Sequence, residues 1–355
     1  MPTFTFDQLR SVTRQVFTAL GANTDEAEIL GDFLPRANLV GHDSHGVIRI
    51  PQYIHHIKKD EIQLGRKVEL LKETTTTAVI NGNWGFGQVV TKQATDLAIT
   101  KAIHNGLGCI TVQQNNHVGR LSDYAHLIAE RGCIGILMVN GHGSGTRVAP
   151  FGGIDGRFST NPLCISIPQK NDGPIVADIT TSVVAEGKVR VKRNRGEQLP
   201  PGWIIDANGH PSQDPKDFYE EPYGALLPLG GIVAHKGFAL SMMVDILAGA
   251  LSGAGCSGNT APRFGNSVFI LAIQVSNFVP ESFFHQQIRD LIEWVKSSRC
   301  APGFDEILVP GEPEQRIKAE REKNGIPIDS ETWSQIFSAG QKLGLDFTEA
   351  ENCQI

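Results

Sequence analysis

The chain has 355 residues, 40% of them hydrophobic and 20% charged, which is ordinary globular composition and enough length for one large domain or two moderate ones. Its 32 basic and 38 acidic residues leave a formal net charge of -6, which excludes the basic footprint of a nucleic-acid or anionic-membrane binder and points to small molecules or proteins as partners. No apolar run approaches the roughly 20 residues of a membrane span, the first residues carry no signal-peptide core, and the six cysteines form no CxxC pair. A reduced, cytoplasmic protein is expected.

In chain order, TDEAEILGDFLPRANLV predicts an amphipathic helix capped at Thr24, kinked at Pro35 and stopped by Gly41. Pro51 opens a second helix, so HDSHGVIR lies on the connection between them. Arg49 suits a carboxylate, and His45 beside Ser44 suits proton delivery to a developing alkoxide. A solvated turn capped by Asp43 and Ser44 accounts for the same residues. His42 and His45 lie three apart, yet no HExxH or comparable partner motif accompanies them, and no metal site is predicted.

TTTTAVING, LGCITVQ and CIGILMVN read as strands alternating with the helices QVVTKQATDLAITKAIHNG and GRLSDYAHLIAERG, an α/β arrangement with part of its sheet parallel. Asn115, Asn116 and His117 follow one of these strands, where such sheets place ligands, and Arg120 lies close by. Asp178, Thr180, Thr181 and Ser182 could bond a ribose or phosphate, or form a plain turn. RVKRNRGEQLPPG reads as a solvated loop, with a 2'-phosphate site as the sharper alternative. Lys236 opens the apolar helix KGFALSMMVDILAGALSG, where a bound anion would offset its unfavourable place on the helix dipole. GAGCSG matches GxGxxG but follows a helix and opens none, so it reads as a helix-ending turn. SVFILAIQV predicts a strand buried on both faces, and EQRIKAEREKNG and SETWSQIFSAGQKLG return the chain to helix.

Six ordered blocks, GHDSHGVIRIPQY, NNHVGR, VAPFGG with STNPLCISIP, LPPGWIIDANGHPSQDP, HKGFALSMMVDILAGALSG and LVPGEPEQRIKAEREKNGIP, resemble the type-2 malate/L-lactate dehydrogenase family over nearly the whole chain. HDSHG, STNPLC and the WVKSSR to PGEPE ending are most similar to its bacterial hydroxycarboxylate dehydrogenase branch. The resemblance implies an α/β fold: a non-Rossmann, mixed-sheet domain over 76–309 that binds NAD or NADP, and a helical domain formed by 1–75 with 310–355. It also implies a homodimer with the active site near the subunit interface, and hydride transfer between nicotinamide and a 2-oxo or 2-hydroxy acid. His45 corresponds to the family's proposed proton donor with Ser44 and Arg49 beside it, and His117 to a second histidine. The cofactor segments correspond to Asp178, Ile179, Thr180 and Thr181, to His235, Lys236 and Gly237, and to Pro310, Gly311 and Glu312. GHGSGT after ILMVN departs from relatives that carry a polar or basic residue there, so a catalytic lysine of one branch has no counterpart. Cyclic imine acid reduction and ureidoglycolate oxidation are the alternatives within the class, and a catalytically silent nucleotide-binding homodimer is the alternative outside it.

Overall fold

The structure is a computed structural model that describes residues 1–143, 146–170, 173–258 and 263–348. β1 (Thr3–Phe4) leads into α1 (Phe6–Ala19) and α2 (Thr24–Leu39). Asn23, and not Thr24, caps α2: its side chain accepts from the Glu26 N–H while the Glu26 carboxylate accepts from the Asn23 N–H, so the cap lies one residue earlier than the sequence suggests. Pro35 is tolerated inside the helix, and Gly41, at φ +85, ends it as expected. α3 (Ile50–Lys58) follows with Pro51 in its first turn.

β2 (Glu69–Glu73) is a strand that the charged stretch ELLKE concealed; all five of its residues are exposed, so no burial alternation marks it. β3 (Thr77–Asn81), α4 (Gly87–Asn105), β4 (Leu107–Asn115), α5 (Leu121–Ala129) and β5 (Cys133–His142) occupy the predicted stretches, and Gly106 at φ +85 closes α4. Of GHGSGT, Gly141 and His142 belong to β5, and Ser144 and Gly145 lie outside the described residues. β6 (Leu163–Ile167) and β7 (Ile175–Ile179) complete this edge.

The basic run after residue 185 is a helix, α6 (Glu186–Asn194), and not a solvated loop. Val189 on its inner face is fully buried with Leu199, Ile204, Phe218 and Leu226, and this packing overrides the charge. β8 (Ile204–Ile205), β9 (Pro211–Ser212), α7 (Pro215–Tyr219) and β10 (Ala225–Leu226) form a small three-stranded unit beside it. α8 (His235–Asp245) runs into a π-helical turn, Ile246–Ala250, and GAGCSG is the turn after it. Asp245 fixes that turn to the sheet by accepting from Asn140, Asn161 and the Ser257 N–H at 2.8–3.1 Å. β11 (Gly265–Gln274) is the buried strand of SVFILAIQV; α9 (Glu281–Lys296), α10 (Glu312–Asn324), β12 (Ile326–Pro327) and α11 (Ser330–Lys342) finish the chain.

The main sheet has seven strands in the order β2-β3-β4-β11-β5-β6-β7. Among the described residues of this sheet only β3 and β4 pair in parallel; β11 inserts antiparallel between β4 and β5, so the alternation of strand and helix builds a mixed sheet. α4 and α5 cover one face through Val90, Ala94, Ala98, Tyr124 and Ile128 against Ile110, Val112, Leu137 and Ile270. A second core joins the two chain ends: Leu9, Phe17, Leu30 and Tyr53 pack with Ile326, Trp333 and Ile336, and β1 pairs with β12. Leu30 is fully buried, and truncating such a side chain costs about 2–5 kcal/mol.

Candidate active site

HDSHGVIR folds as two successive 3-10 turns, Asp43–His45 and Val47–Arg49. Asn38 of α2 fixes both: its Oδ1 accepts from the Val47 N–H at 2.8 Å, and its Nδ2 donates to Asp43 Oδ1 at 2.8 Å. Gly46 is required between them, since a Cβ there would lie 2.0 Å from Asn38 Oδ1. Arg321 of α10 donates to both Asp43 oxygens at 2.7 and 3.1 Å. The turn that carries Ser44 and His45 is thus held from two sides.

His117, in the loop after β4, meets His45 across the gap. Their rings stack with centroids 5.7 Å apart and planes 13° from parallel. Ser44 Oγ lies 3.1 Å from His45 Nδ1, and Tyr53 Oη lies 2.7 Å from His117 Nδ1. Gln88 of α4 donates to Tyr53 Oη at 2.7 Å. Arg49 is buried, donating from Nε to the Ser44 carbonyl and from Nη1 to Gln52 Oε1, each at 2.7 Å. Among the described residues no carboxylate forms an ion pair with it. A buried guanidinium bonded only to neutral groups is costly alone and favours an anion.

Burial, reinforced by the Arg49 charge, pushes the His45 imidazolium down to about 3 and that of His117 well below its usual value. Both rings are neutral at pH 7 although each keeps an accessible edge. Burial also raises the Tyr53 phenol to about 12, so it stays protonated and able to donate.

A cavity of about 140 Å³ opens beside His117, lined by Tyr53, Phe86, Asn116, Arg263 and Phe264. A larger one, about 680 Å³, has Asp178 and Gly311 in its wall together with Arg120, Ser122 and Glu314. Asp178 accepts from the Ser122 N–H at 2.9 Å and from its hydroxyl, at the start of α5. Arg120 and Asp123 form a buried ion pair at 2.8 Å, and Arg120 Nε and Asp123 Oδ2 find no further partner among the described residues. Such orphaned polar atoms suit a polar ligand.

The other expected cofactor residues are more scattered. Ile179 is exposed, and Thr180 Oγ1 donates to the Ser182 carbonyl at 2.9 Å. Thr181 is buried and donates to the Asn161 carbonyl at 2.9 Å; its own carbonyl accepts from Leu229, against which Gly237 packs too closely for a Cβ. His235 and Lys236 are exposed at the start of α8, His235 against Phe151 with ring centroids 5.7 Å apart, and neither lines the two cavities above. The Pro310 carbonyl accepts from the Val176 N–H at 3.2 Å, Gly311 sits at φ +99, and Glu312 accepts from the Val309 N–H at 3.0 Å and pairs with Lys296. Arg190 is paired with Glu186 at 3.0 Å, and Arg193 stacks over Tyr219 at 4.6 Å.

Neither Tyr53 nor Gln88 carries a sequence signal of its own, although Tyr53 closes the block GHDSHGVIRIPQY. Among the described residues no group of three or more His, Cys, Asp or Glu could hold a metal, and no helix is long and apolar enough to cross a membrane.

Residues 4–337 match the family model described as malate/L-lactate dehydrogenase. The chain is 36% identical over 348 residues to hydroxycarboxylate dehydrogenase B of Escherichia coli K12, covering 96% of this chain and 94% of that one. It is 38% identical over 348 residues to a Pyrococcus horikoshii malate dehydrogenase, covering 96% and 95%; the solved structure of malate dehydrogenase from that species superposes with a TM-score of 0.88 over 97% of this chain and 96% of its own, at 34% identity. The sulfolactate dehydrogenase structure from Methanocaldococcus jannaschii superposes with a TM-score of 0.87 at 32% identity, over 98% and 99%. With the family model spanning nearly every element that builds the site, the chain belongs to the malate/L-lactate dehydrogenase family.

Proposed function

We propose that this chain is an NAD- or NADP-dependent 2-hydroxyacid dehydrogenase, working reversibly as a 2-oxoacid reductase. One observation carries the reading: Arg49, buried and with no counter-ion among the described residues, lies beside two stacked neutral histidines. A substrate carboxylate on Arg49 supplies the missing charge and orients the adjacent carbonyl toward His45 and His117. Its arrival also cancels the cationic field of Arg49, so the affinity of His45 for a proton rises when substrate binds. Ser44 holds the His45 ring by its Nδ1.

The dinucleotide would supply the hydride. Asp178 through Thr181, His235 through Gly237, and Pro310 through Glu312 would hold it, on a sheet that carries no usable GxGxxG. In this reading 76–309, with β2 added at the edge of its sheet, is a non-Rossmann cofactor domain, and the rest of 1–75 with 310–355 is the helical domain that brings His45 to it.

The working form is a homodimer. Ile232, Leu240, Met243, Ile246 and Leu251 are exposed along α8 and its flanks, and Leu291 and Trp294 along α9, apolar side chains that a second copy would cover. The test is oxidation of NADH or NADPH by a panel of 2-oxo acids, compared between the unmodified protein and His45→Gln. Loss of about 10²–10⁴ in turnover is expected from removing a general acid. Equal turnover in the two would exclude His45 as the proton donor.

A further inference from the structure

We infer that Tyr53 and Gln88 lock His117 as its Nε2–H tautomer, so that His117 offers the substrate oxygen a fixed hydrogen-bond donor and leaves proton transfer to His45. The inference rests on the oxidoreductase reading only for its second half; the lock itself is a property of the protein alone.

One chain of hydrogen bonds fixes where each proton lies. Gln88 Nε2 is a donor only, and it lies 2.7 Å from Tyr53 Oη, so the phenol oxygen accepts there. The phenol has one proton, and the remaining neighbour is His117 Nδ1 at 2.7 Å. Tyr53 therefore donates to Nδ1, and a nitrogen that accepts carries no proton of its own. A neutral imidazole has one N–H, which is left on Nε2. Burial beside Arg49 keeps the ring in that neutral form.

Reversing the Gln88 amide would reverse the chain, with the phenol donating to Gln88 and receiving from His117. The Gln88 side chain disfavours this. It is 1% exposed, and its Oε1 has no hydrogen-bond partner among the described residues, so this orientation leaves only a carbonyl oxygen under-bonded, whereas a reversed amide would bury an NH₂ group at that unpartnered position. Buried N–H groups without acceptors are rarer than under-bonded carbonyl oxygens.

The division of labour between the histidines follows. In reduction the carbon–oxygen π pair moves to oxygen as the hydride reaches carbon. The Nε2–H of His117 donates a hydrogen bond to that oxygen throughout, and His45, which takes a proton from solvent as the substrate carboxylate neutralises Arg49, gives that proton up to complete the hydroxyl and returns to its neutral form. His117 ends with the proton it began with, because Tyr53 occupies its other nitrogen.

The test is long-range proton–nitrogen correlation NMR on the full chain labelled with ¹⁵N-histidine at neutral pH, with the His117 signals assigned by their loss in His117→Gln. The expected pattern is a protonated Nε2 and a bare Nδ1. A protonated Nδ1, alone or together with Nε2, would overturn the inference. In Tyr53→Phe the preference for Nε2–H should collapse toward a mixture, and turnover in oxo-acid reduction should fall roughly tenfold with KM little changed, as losing one oriented hydrogen bond implies. An unchanged tautomer in that variant would also overturn it. The NMR readout needs neither cofactor nor substrate: a protein with the expected tautomer but no turnover would sink the oxidoreductase reading alone.

Discussion

Arg321 grips Asp43 with both ends of its guanidinium, 2.7 Å from Oδ1 and 3.1 Å from Oδ2, across 278 residues of chain. One helix face of α10 also sets Ile317 against Gly41 and Glu314 3.3 Å from His42, so the C-terminal helix shapes the turn that presents His45. Arg321→Leu should leave the far-ultraviolet circular dichroism unchanged and lower turnover about tenfold, the effect of losing roughly 1.5 kcal/mol of oriented contact. Full turnover in this variant would mean that Asn38 alone suffices to hold the turn.

Arg49 makes its two hydrogen bonds with a fork, and lysine cannot reproduce them. Arg49→Lys should raise the oxo-acid KM and lower kcat/KM about 10²-fold, from a charge-assisted contact worth about 1.5–3 kcal/mol. Steady-state kinetics on the two proteins decide it. A variant with unaltered KM would place the substrate carboxylate elsewhere.

Acid should destabilise the protein in a definite window. The His45 proton affinity is depressed in the folded state, from 6.5 to about 3, so between these values the unfolded chain binds more protons. The stabilising contribution is complete above pH 6.5 and is lost as pH falls toward 3; His117 acts in the same sense. Thermal melts from pH 7 to pH 5 should show a smaller drop in Tm for His45→Gln than for the unmodified protein. Equal drops would mean that His45 is not buried as a neutral ring.

The same depression bears on catalysis. Hydroxy-acid oxidation needs neutral His45 as the base, so kcat/KM for oxidation should stay level as pH falls through 6.5. An acid limb centred at 6.5 that disappears in His45→Gln would contradict the site's electrostatics.

Light scattering coupled to gel filtration should give the mass of a dimer, and Met243→Glu, placed in the exposed stripe after His235, should shift it toward monomer. A monomeric unmodified protein would remove the homodimer from the account.

The helices and strands with clean periodicity were legible in the sequence. Gly106 and Gly41 mark the ends of α4 and α2 because positive φ favours glycine there, and β11 reads as a buried strand from its continuous apolar run. Three features were not legible for physical reasons. β2 has no buried face to leave an alternation. α6 looks like a solvated loop because its charges outnumber the few residues that bury it, among them Gly187, which packs against Ser44 too closely for a Cβ. The antiparallel insertion of β11 between β4 and β5 depends on a strand more than a hundred residues downstream in the chain, which local pattern does not report. At the site, residue types pointed to His45 and Arg49, but Tyr53 and Gln88 act through a contact 35 residues apart in sequence and look like ordinary helix residues.

Reduction of a 2-oxo acid is tested most simply by the loss of nicotinamide absorbance when the purified protein is mixed with NADH or NADPH and pyruvate, oxaloacetate, phenylpyruvate or hydroxyphenylpyruvate, with and without a chelator. Turnover with at least one of these oxo acids, unchanged by the chelator and lowered about 10²–10⁴-fold in His45→Gln, is the predicted result. Cofactor binding with no turnover on any of them would contradict the 2-oxoacid reductase and leave a nucleotide-binding protein without this chemistry.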